Sequence, residues 1–345
     1  MRAMAEGRPM ISVIIPNWNG KRFLAECLDS VREQTFRDFE TILVDNGSTD
    51  GSAGFVEERY PWVRTIRNKR NLGFTGGNNV GIRLAGGKYI VLLNNDTWAE
   101  PTWLEELTKA IGSDRQVGMW ASKVYSYYQR DRIEAVGELL YWDGLNRARG
   151  QYEKDRGQYE EIEEILFPPG CGCMYLKEIL DEMGLFDEDF FAYGDDAEIG
   201  IRARMAGWKC LYVPGAIVYH KNSGTAGQYS PVKAFHVERN RFWITIKYFP
   251  LPLLILSGFF TFYRFLFQAY GALAHKGAAG KFTRIHSPWN LVIILFRAYL
   301  SGFLYIPGML KKRRKMAAFR KVTYGEIYLW FKRFGISAKE ISLRD

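Results

Sequence analysis

The apolar run Tyr89-Ile90-Val91-Leu92-Leu93 stops abruptly at Asn94-Asn95-Asp96-Thr97. A run without polar interruptions predicts a strand buried on both faces, the mark of a central strand in a parallel sheet. Met10–Pro16 is a further buried strand, and Phe39–Val44, Val63–Arg67 and Val117–Lys123 are predicted as strands too. Between them the period changes to helical. Leu24, Cys27, Leu28 and Val31 fall on one face, and further helices are predicted from the polar loop Asp45–Ser52 through Tyr60, into Ala85, and over Trp98–Ile111. Strands alternating with helices at these intervals predict an α/β domain, with a mostly parallel sheet and helices on both faces.

The rhythm breaks at residues 124–165, a loop-dominated stretch rich in Tyr, Arg and Glu, with a hairpin expected near Glu138–Tyr141. Phe167–Leu176 reads as a Gly/Cys turn entering a strand, so 124–176 forms one insertion. A helix follows at Lys177–Met183. Phe190-Phe191-Ala192-Tyr193-Gly194 leads into another that runs through Ala206. Trp208–Val213 and Ile217–His220 are expected as separate strands, the second meeting a polar loop at Lys221-Asn222-Ser223-Gly224. Beyond a helix at His236–Tyr248 the chain turns apolar. Lys247 and Arg264 bracket 16 uncharged residues, and Arg297 and Lys311 bracket 13. Both stretches fall short of the roughly 18–20 residues of a spanning helix. Helices lying in a membrane interface are expected, with Arg264 snorkelling if one of them spans. A buried C-terminal bundle is the bland alternative. The resulting division is a catalytic domain over 1–235 and a basic, apolar helical region over 236–345.

Charge sharpens that division. Residues 1–230 carry 27 Lys+Arg against 34 Asp+Glu, and residues 231–345 carry 20 against 4. A basic tail implies an anionic partner. Its hydrophobicity favours a lipid surface over nucleic acid, although the same apolar tail also suits a homodimer. Met1–Pro9 has no apolar core, so no signal peptide is expected. Cys27, Cys171, Cys173 and Cys210 form no Cys-x-x-Cys pair and are expected as reduced thiols. These features place the chain on the cytoplasmic face of a membrane, peripheral or monotopic.

Open α/β sheets bind ligands at the carboxyl ends of their strands, where this chain puts Asn17, Asp45 and Asp96. The usual phosphate loops are missing. No G-x-G-x-x-G follows the first strand, Ile82 stands where a Walker A loop needs Gly, and no G-x-S-x-G elbow is present. A carboxylate beside small amides, as at Asp96, suits a hard divalent cation that shares substrate phosphates. Asp96 or Thr97 capping the next helix is the plainer reading. Adjacent Asp195 and Asp196 push their pKa values apart, which suits one of them to proton abstraction. His220 ends its strand at a loop, where a ligand can reach it.

Five segments carry a resemblance: Pro16-Asn17-Trp18-Asn19-Gly20, the loop from Val44 to Ser52, Asn71-Leu72-Gly73-Phe74 with Gly76-Gly77-Asn78, Leu93-Asn94-Asn95-Asp96, and Phe190 to Arg204. In order and spacing they resemble the signatures of family 2 glycosyltransferases. Within that family the chain is similar to bacterial rhamnosyltransferases of O-antigen and cell-wall polysaccharide assembly. The resemblance implies the GT-A fold, a nucleotide-diphospho-sugar donor, a divalent cation (Mg²⁺ or Mn²⁺) and an inverting displacement. It puts Pro16, Asn17, Asn19, Asp45, Asn71, Gly73, Gly77, Asn78 and Asn95 on the donor nucleotide. Asp96 and His220 fall on the metal and Asp196 on the catalytic base. Gly170, Cys171 and Asp195 fall to the acceptor side. Two positions depart from the pattern, Asn94 where the metal motif has Asp and Asp195 where Glu is usual.

The activity implied by the resemblance is the transfer of one sugar, rhamnose from dTDP-rhamnose, to a lipid-linked or glycan acceptor. A processive synthase or polyprenyl-phosphate transferase is the runner-up. Glu238-Arg239-Asn240-Arg241-Phe242-Trp243 lacks the Q-x-x-R-W spacing of processive members. A non-catalytic membrane scaffold that kept the fold is the alternative from another class.

Overall fold

The structure is a computed structural model and describes residues 7–221 and 229–344. The expected leader-free start and the loop after Lys221 lie largely outside the described residues.

The first half follows the predicted alternation closely. It runs β1 (Ile11–Asn17), α1 (Lys21–Arg32), β2 (Phe39–Asp45), α2 (Ser52–Arg59), β3 (Arg64–Arg67), α3 (Gly73–Leu84) and β4 (Tyr89–Leu93). Next come β5 (Thr97–Ala99), α4 (Trp103–Lys109) and β6 (Val117–Ser126). The insertion holds β7 (Ile133–Ala135), a hairpin of β8 (Glu138–Leu140) and β9 (Asn146–Ala148), and β10 (Glu163–Ile165). Then follow β11 (Gly172–Leu176), α5 (Lys177–Met183), a short 3-10 turn, α6 (Asp195–Met205) and β12 (Lys209–His220). The tail is helical: α7 (Pro231–Tyr248), α8 (Leu251–Ala274), α9 (Gly277–Ile285), α10 (Pro288–Leu304), α11 (Ile306–Ala317), α12 (Tyr324–Arg333) and α13 (Ala338–Leu343).

The main sheet has the order β10-β12-β6-β11-β4-β1-β2-β3. Pairs β1–β2, β2–β3, β1–β4 and β6–β12 are parallel, whereas β11 runs antiparallel between β4 and β6. Alternate residues of the central strands enter different cores, as the pleat requires. Val13, Ile15, Val91 and Leu93 join α1 and α4 through Leu24, Leu28 and Trp103. Ile14, Ile90 and Leu92 join α3, α5 and α6 through Ile82, Leu180 and Ile199. The predicted face of α1 is fully buried. Its four apolar side chains each contribute roughly 1–3 kcal/mol by leaving water.

Several elements depart from the sequence reading. Trp98 does not start a helix: Thr97–Ala99 is a strand antiparallel to the end of β12, and α4 starts only at Trp103. Asp96 therefore sits between two strands and Thr97 opens the second, so neither is the N-cap of α4. The helix expected to run into Ala85 begins at Gly73, so Gly76 and Gly77 are helical. The two strands expected around Val213 and Ile217 are one, β12, with an irregularity in its pairing to β6. Helix α7 begins at Pro231, with the Ser230 hydroxyl as N-cap. Residues 124–165 pair locally more than their composition suggests.

The largest correction is in the tail. Helix α8 continues through Arg264 to reach 24 residues, long and apolar enough to cross a membrane. Arg264 does not snorkel. It is fully buried, with Nε 2.7 Å from Asp143 and Nη1 2.8 Å from Glu238. Arg241 joins the same cluster through Glu238 at 2.9 Å. Counting charges along the chain ended the apolar stretch at Arg264, but the partners that neutralise it come from the β8–β9 hairpin and α7. Leaving those carboxylates unmatched should cost about 3–5 kcal/mol. Arg264→Ala is therefore expected to lower unfolding free energy by that amount in urea titrations. Arg264→Met combined with Glu238→Gln should recover part of the loss.

Candidate active site

Strands β1, β2 and β4 end side by side, and their last side chains are knitted together. Asn17 donates through Nδ2 to Asp45 at 3.1 Å and to the Ser48 hydroxyl at 3.2 Å. Its Oδ1 accepts from Asn95 Nδ2 at 2.6 Å. Asn19 closes the neighbouring loop by accepting from the Thr49 amide at 2.8 Å, while its own N–H donates to Ser48. Gly20 is needed here because a Cβ would stand 2.1 Å from Asn95 Nδ2. Asn17, Asp45 and Asn95 are buried, and Pro16 and Asn19 are partly so. The network leaves the second Asp45 oxygen on the Ser48 amide, 3.2 Å away.

The segment from Asn71 to Asn78 borders this network. Asn71 accepts from the Gly73 amide at 2.8 Å and so shapes the entry to α3. Gly73 has φ +74, and a Cβ there would lie 2.4 Å from the Phe191 carbonyl oxygen. Gly77 packs against Asn46, whose amide donates to the Gly73 carbonyl at 2.8 Å. Asn78 is fully buried and donates back to Phe74 at 3.0 Å, leaving its Oδ1 without a protein partner. Asn71 and Asn78 thus hold the backbone of this segment.

The β5–β12 pairing places His220 opposite Thr97 and so beside Asp96. His220 Nε2 is 3.1 Å from Asp96 Oδ1, and Asn94 Nδ2 lies 3.3 Å from the same nitrogen. Nδ1 meets Glu134 of β7 at 2.6 Å. Burial opposes protonation of the ring, but the Glu134 and Asp96 carboxylates outweigh it and hold the His220 pKa well above the usual histidine range. A histidine fixed at one nitrogen by a carboxylate and open toward another at the second is a common metal-ligand arrangement. The Cys171 thiol approaches Glu134 and His220 to within 4.8 Å of their ligand atoms. Burial pushes its pKa up, and the carboxylates and imidazole beside it are oxygen and nitrogen donors. That set fits Mg²⁺ or Mn²⁺.

Asp196 stands in the first turn of α6, half-buried, beyond a strained loop. Phe191 and Tyr193 have φ of 64 and 66 and Gly194 has 72. Each non-glycine residue in that region costs on the order of 1–3 kcal/mol. Asn240 of α7 offsets this strain. Its Nδ2 lies 2.9, 3.0 and 2.6 Å from the carbonyls of Phe190, Ala192 and Tyr193. The Asp196 carboxylate accepts from its neighbour's amide, Ala197 N, at 2.8 Å, and also from Asn146 and the Gly170 amide. Burial outweighs these donors and raises its pKa to about 6. Asp195 is buried, and burial with the Asp196 charge beside it raises its pKa well above the carboxylate range. Glu198, in the same acidic turn, is committed to structure by Lys247 at 2.6 Å and Arg202 at 2.8 Å.

The structure therefore gathers Asn17, Asp45, Asn19 and Asn95 in one network and Asp96 with His220 in a second. Asp196 shares a third with Gly170. Gly170 lies against Asp196, and the next residue, Cys171, lies beside His220 and Glu134, so the second and third groups adjoin along the Gly170–Cys171 turn. Glu134, Asn146 and Asn240 are the members the sequence reading missed. Glu134 and Asn146 carry no local signal, being single polar residues in an irregular insertion. Asn240 was visible only as part of Glu238-Arg239-Asn240-Arg241.

Residues 12–184 match the family described as glycosyl transferase family 2. The chain is 35% identical over 238 residues to the uncharacterised glycosyltransferase EpsJ of Bacillus subtilis, covering 67% of each chain. It is 27% identical over 237 residues to the uncharacterised protein y4gI of Sinorhizobium fredii, covering 64% of this chain. The chain spans only 25–38% of the length of that and two other curated relatives it matches. Among solved structures, mannosyltransferase PcManGT of Pyrobaculum calidifontis, in complex with GDP-Man and Mn²⁺, superposes with a TM-score of 0.54 at 18% identity. The match covers 95% of this chain and 89% of that one. That likeness shows the GT-A fold. The family match and the EpsJ relationship go further, and the chain belongs to glycosyltransferase family 2.

Proposed function

We propose that the chain is an inverting, metal-dependent glycosyltransferase that moves one sugar from a nucleotide-diphospho-sugar to an acceptor hydroxyl. The observation that carries this reading is the Asp96–His220 pair at the carboxyl edge of the sheet, joined to Asp196 by the Gly170–Cys171 turn that lies against both. Rhamnose from dTDP-rhamnose remains the donor favoured by the sequence, and a lipid-linked or glycan chain the acceptor. The GDP-Man and Mn²⁺ bound to the mannosyltransferase of like fold support a nucleotide-sugar donor and a divalent cation. We assign residues 1–235 to catalysis, with 124–176 bordering the acceptor, and 236–345 to attachment at the cytoplasmic face of the inner or plasma membrane.

Asn17, Asp45, Asn19 and Asn95 hold the nucleotide in this reading, with Pro16 and the backbone from Asn71 through Gly73, Gly77 and Asn78 along its edge. Asp96 and His220 would hold the metal, and Glu134 fixes the histidine ring for it. A bound Mg²⁺ or Mn²⁺ supplies neutralisation of charge on the leaving diphosphate. Asp196 takes the proton of the acceptor hydroxyl as that oxygen attacks the anomeric carbon from the face opposite the leaving group. The Gly170 and Ala197 amides and Asn146 aim the carboxylate. Its raised pKa leaves it ionised at neutral pH while making it a stronger base than a solvated aspartate. Asp195 and the Gly170–Cys171 turn border the acceptor.

Asp196→Asn should lower kcat by about 10²–10⁴. Nucleotide-sugar affinity, followed by titration, should stay within about twofold. Near-normal turnover in that variant would place the base elsewhere. Because Asp196 works deprotonated, kcat/KM should rise with pH through about 6 and level off above it. A rate still flat below pH 5 would contradict the assignment. Glu134→Gln should weaken divalent-cation affinity by about 10–100-fold in metal-dependent donor-binding titrations, and leave the Asp196 pH limb in place.

A further inference from the structure

Helices α8 and α10 are built the opposite way from those of a water-soluble domain. The outward stripe of α8 carries Ile255, Phe259, Phe262, Leu266, Tyr270 and Leu273, the last 84% exposed. Its inward positions are Leu253, Ser257, Gly271 and the fully buried Arg264. Helix α10 repeats the arrangement. Trp289, Ile293, Phe296, Leu300 and Leu304 face out, and Ile294, Ala298 and Gly302 face in. The large exposed side chains leave on each helix an apolar face that water does not favour, and Phe265 of α8 meets Tyr299 of α10 with ring centroids 6.3 Å apart.

Charge identifies what covers it. Helix α11 follows α10 after Tyr305 alone, and Lys311, Arg314 and Lys315 are exposed on it. Among the described residues from 231 onward the acids are Glu238, Glu326 and Glu340. Glu238 is buried against Arg241 and Arg264, and the other two cap α12 and α13. None of them offsets the basic cluster beside the apolar stripes. A second copy of the chain would bring like charge to like charge, whereas an anionic bilayer answers both the apolar and the basic surface.

We propose that α8 and α10 form one platform that lies in the plane of an anionic membrane surface, and that α8 does not cross the bilayer. The length of α8 permits crossing, but its midpoint does not. Arg264 is held by Asp143 in the turn between β8 and β9 and by Glu238 on α7. A spanning α8 would carry that ion cluster, and the catalytic body attached to it, to the middle of the hydrocarbon. In the plane, the same pin turns the apolar stripe toward lipid and the body toward water. Helix α7 then links platform to site, since it packs Phe242 against Gly302 on one side and holds the loop before Asp196 with Asn240 on the other.

This inference rests on the membrane attachment proposed above and is independent of the sugar. The test uses the full-length chain with single cysteines at Leu251, Phe262 or Leu273, each exposed, while the native cysteines are buried. Each carries an environment-sensitive fluorophore and is bound to phosphatidylcholine vesicles with and without phosphatidylglycerol. Nitroxide lipids labelled at different depths should quench all three positions alike and shallowly. A deep centre between shallow ends would show a spanning helix and overturn the proposal. Phe259→Glu with Phe296→Glu should abolish flotation with vesicles. Lys311→Gln, Arg314→Gln and Lys315→Gln together should weaken binding to the phosphatidylglycerol vesicles on the order of 100-fold, at about fivefold per charge. Nucleotide-sugar binding should be unchanged in both variants. A wild-type chain that binds donor but floats with neither vesicle, or that buries the stripe in a dimer, overturns the platform and leaves the enzyme reading standing. A chain that floats but binds no donor does the reverse.

Discussion

The antiparallel pairing of Thr97–Ala99 with the end of β12 is the contact on which the cleft depends. It brings residues 124 positions apart, Asp96 and His220, to 3.1 Å. The pairing extends one step further, with the Lys221 amide donating to the Asp96 carbonyl at 3.0 Å. A side chain on a free loop would lose rotamer and backbone freedom each time it met a ligand. Here the ladder has already removed that freedom. Glu134 completes the arrangement from β7, which pairs with β6 beside β12.

Helix α7 has the corresponding role for Asp196. Two non-glycine residues at positive φ, separated by a single position, are expensive, on the order of several kcal/mol together. A single amide hydrogen bond contributes only about 1 kcal/mol net, so one contact does not hold such a loop. Asn240 answers the carbonyls of Phe190, Ala192 and Tyr193 from a fully buried position, and Thr75 adds its amide to the Phe191 carbonyl at 3.2 Å. Lys247, further along α7, ties Glu198 and Asp187 to the same helix. The strain is thus balanced by a helix that belongs to the tail. Catalytic body and tail share one packed cluster of Phe167, Phe190, Ile201, Trp243 and Phe331.

The tail solves a different problem. An arginine in an apolar helix is costly unless its charge is matched, and here Asp143 and Glu238 match it inside the protein. That match turns the remaining apolar face outward. One ion cluster therefore decides both how α8 docks on the body and which side of it is left for a partner.

The sheet and its chemistry-bearing ends are legible in the chain alone. Strand and helix periods are local, and apolar runs such as Tyr89–Leu93 are readable without any tertiary knowledge. So are the polar clusters at Asn17, Asp45 and Asp96, and the family signatures they belong to. Strand β5 is not, because Thr97-Trp98-Ala99 has no periodicity of its own and becomes a strand only when β12 lies beside it. Nor are Glu134, Asn146 or the clamp by Asn240, since a hydrogen bond between residues far apart in the chain leaves no local pattern. Arg264 shows the limit most clearly. Along the chain it is a charge that interrupts an apolar stretch, and only the fold supplies the two carboxylates that make it the helix's anchor. Local free energies are written in neighbouring residues, while the pairing of distant charges is decided by where the whole chain places them.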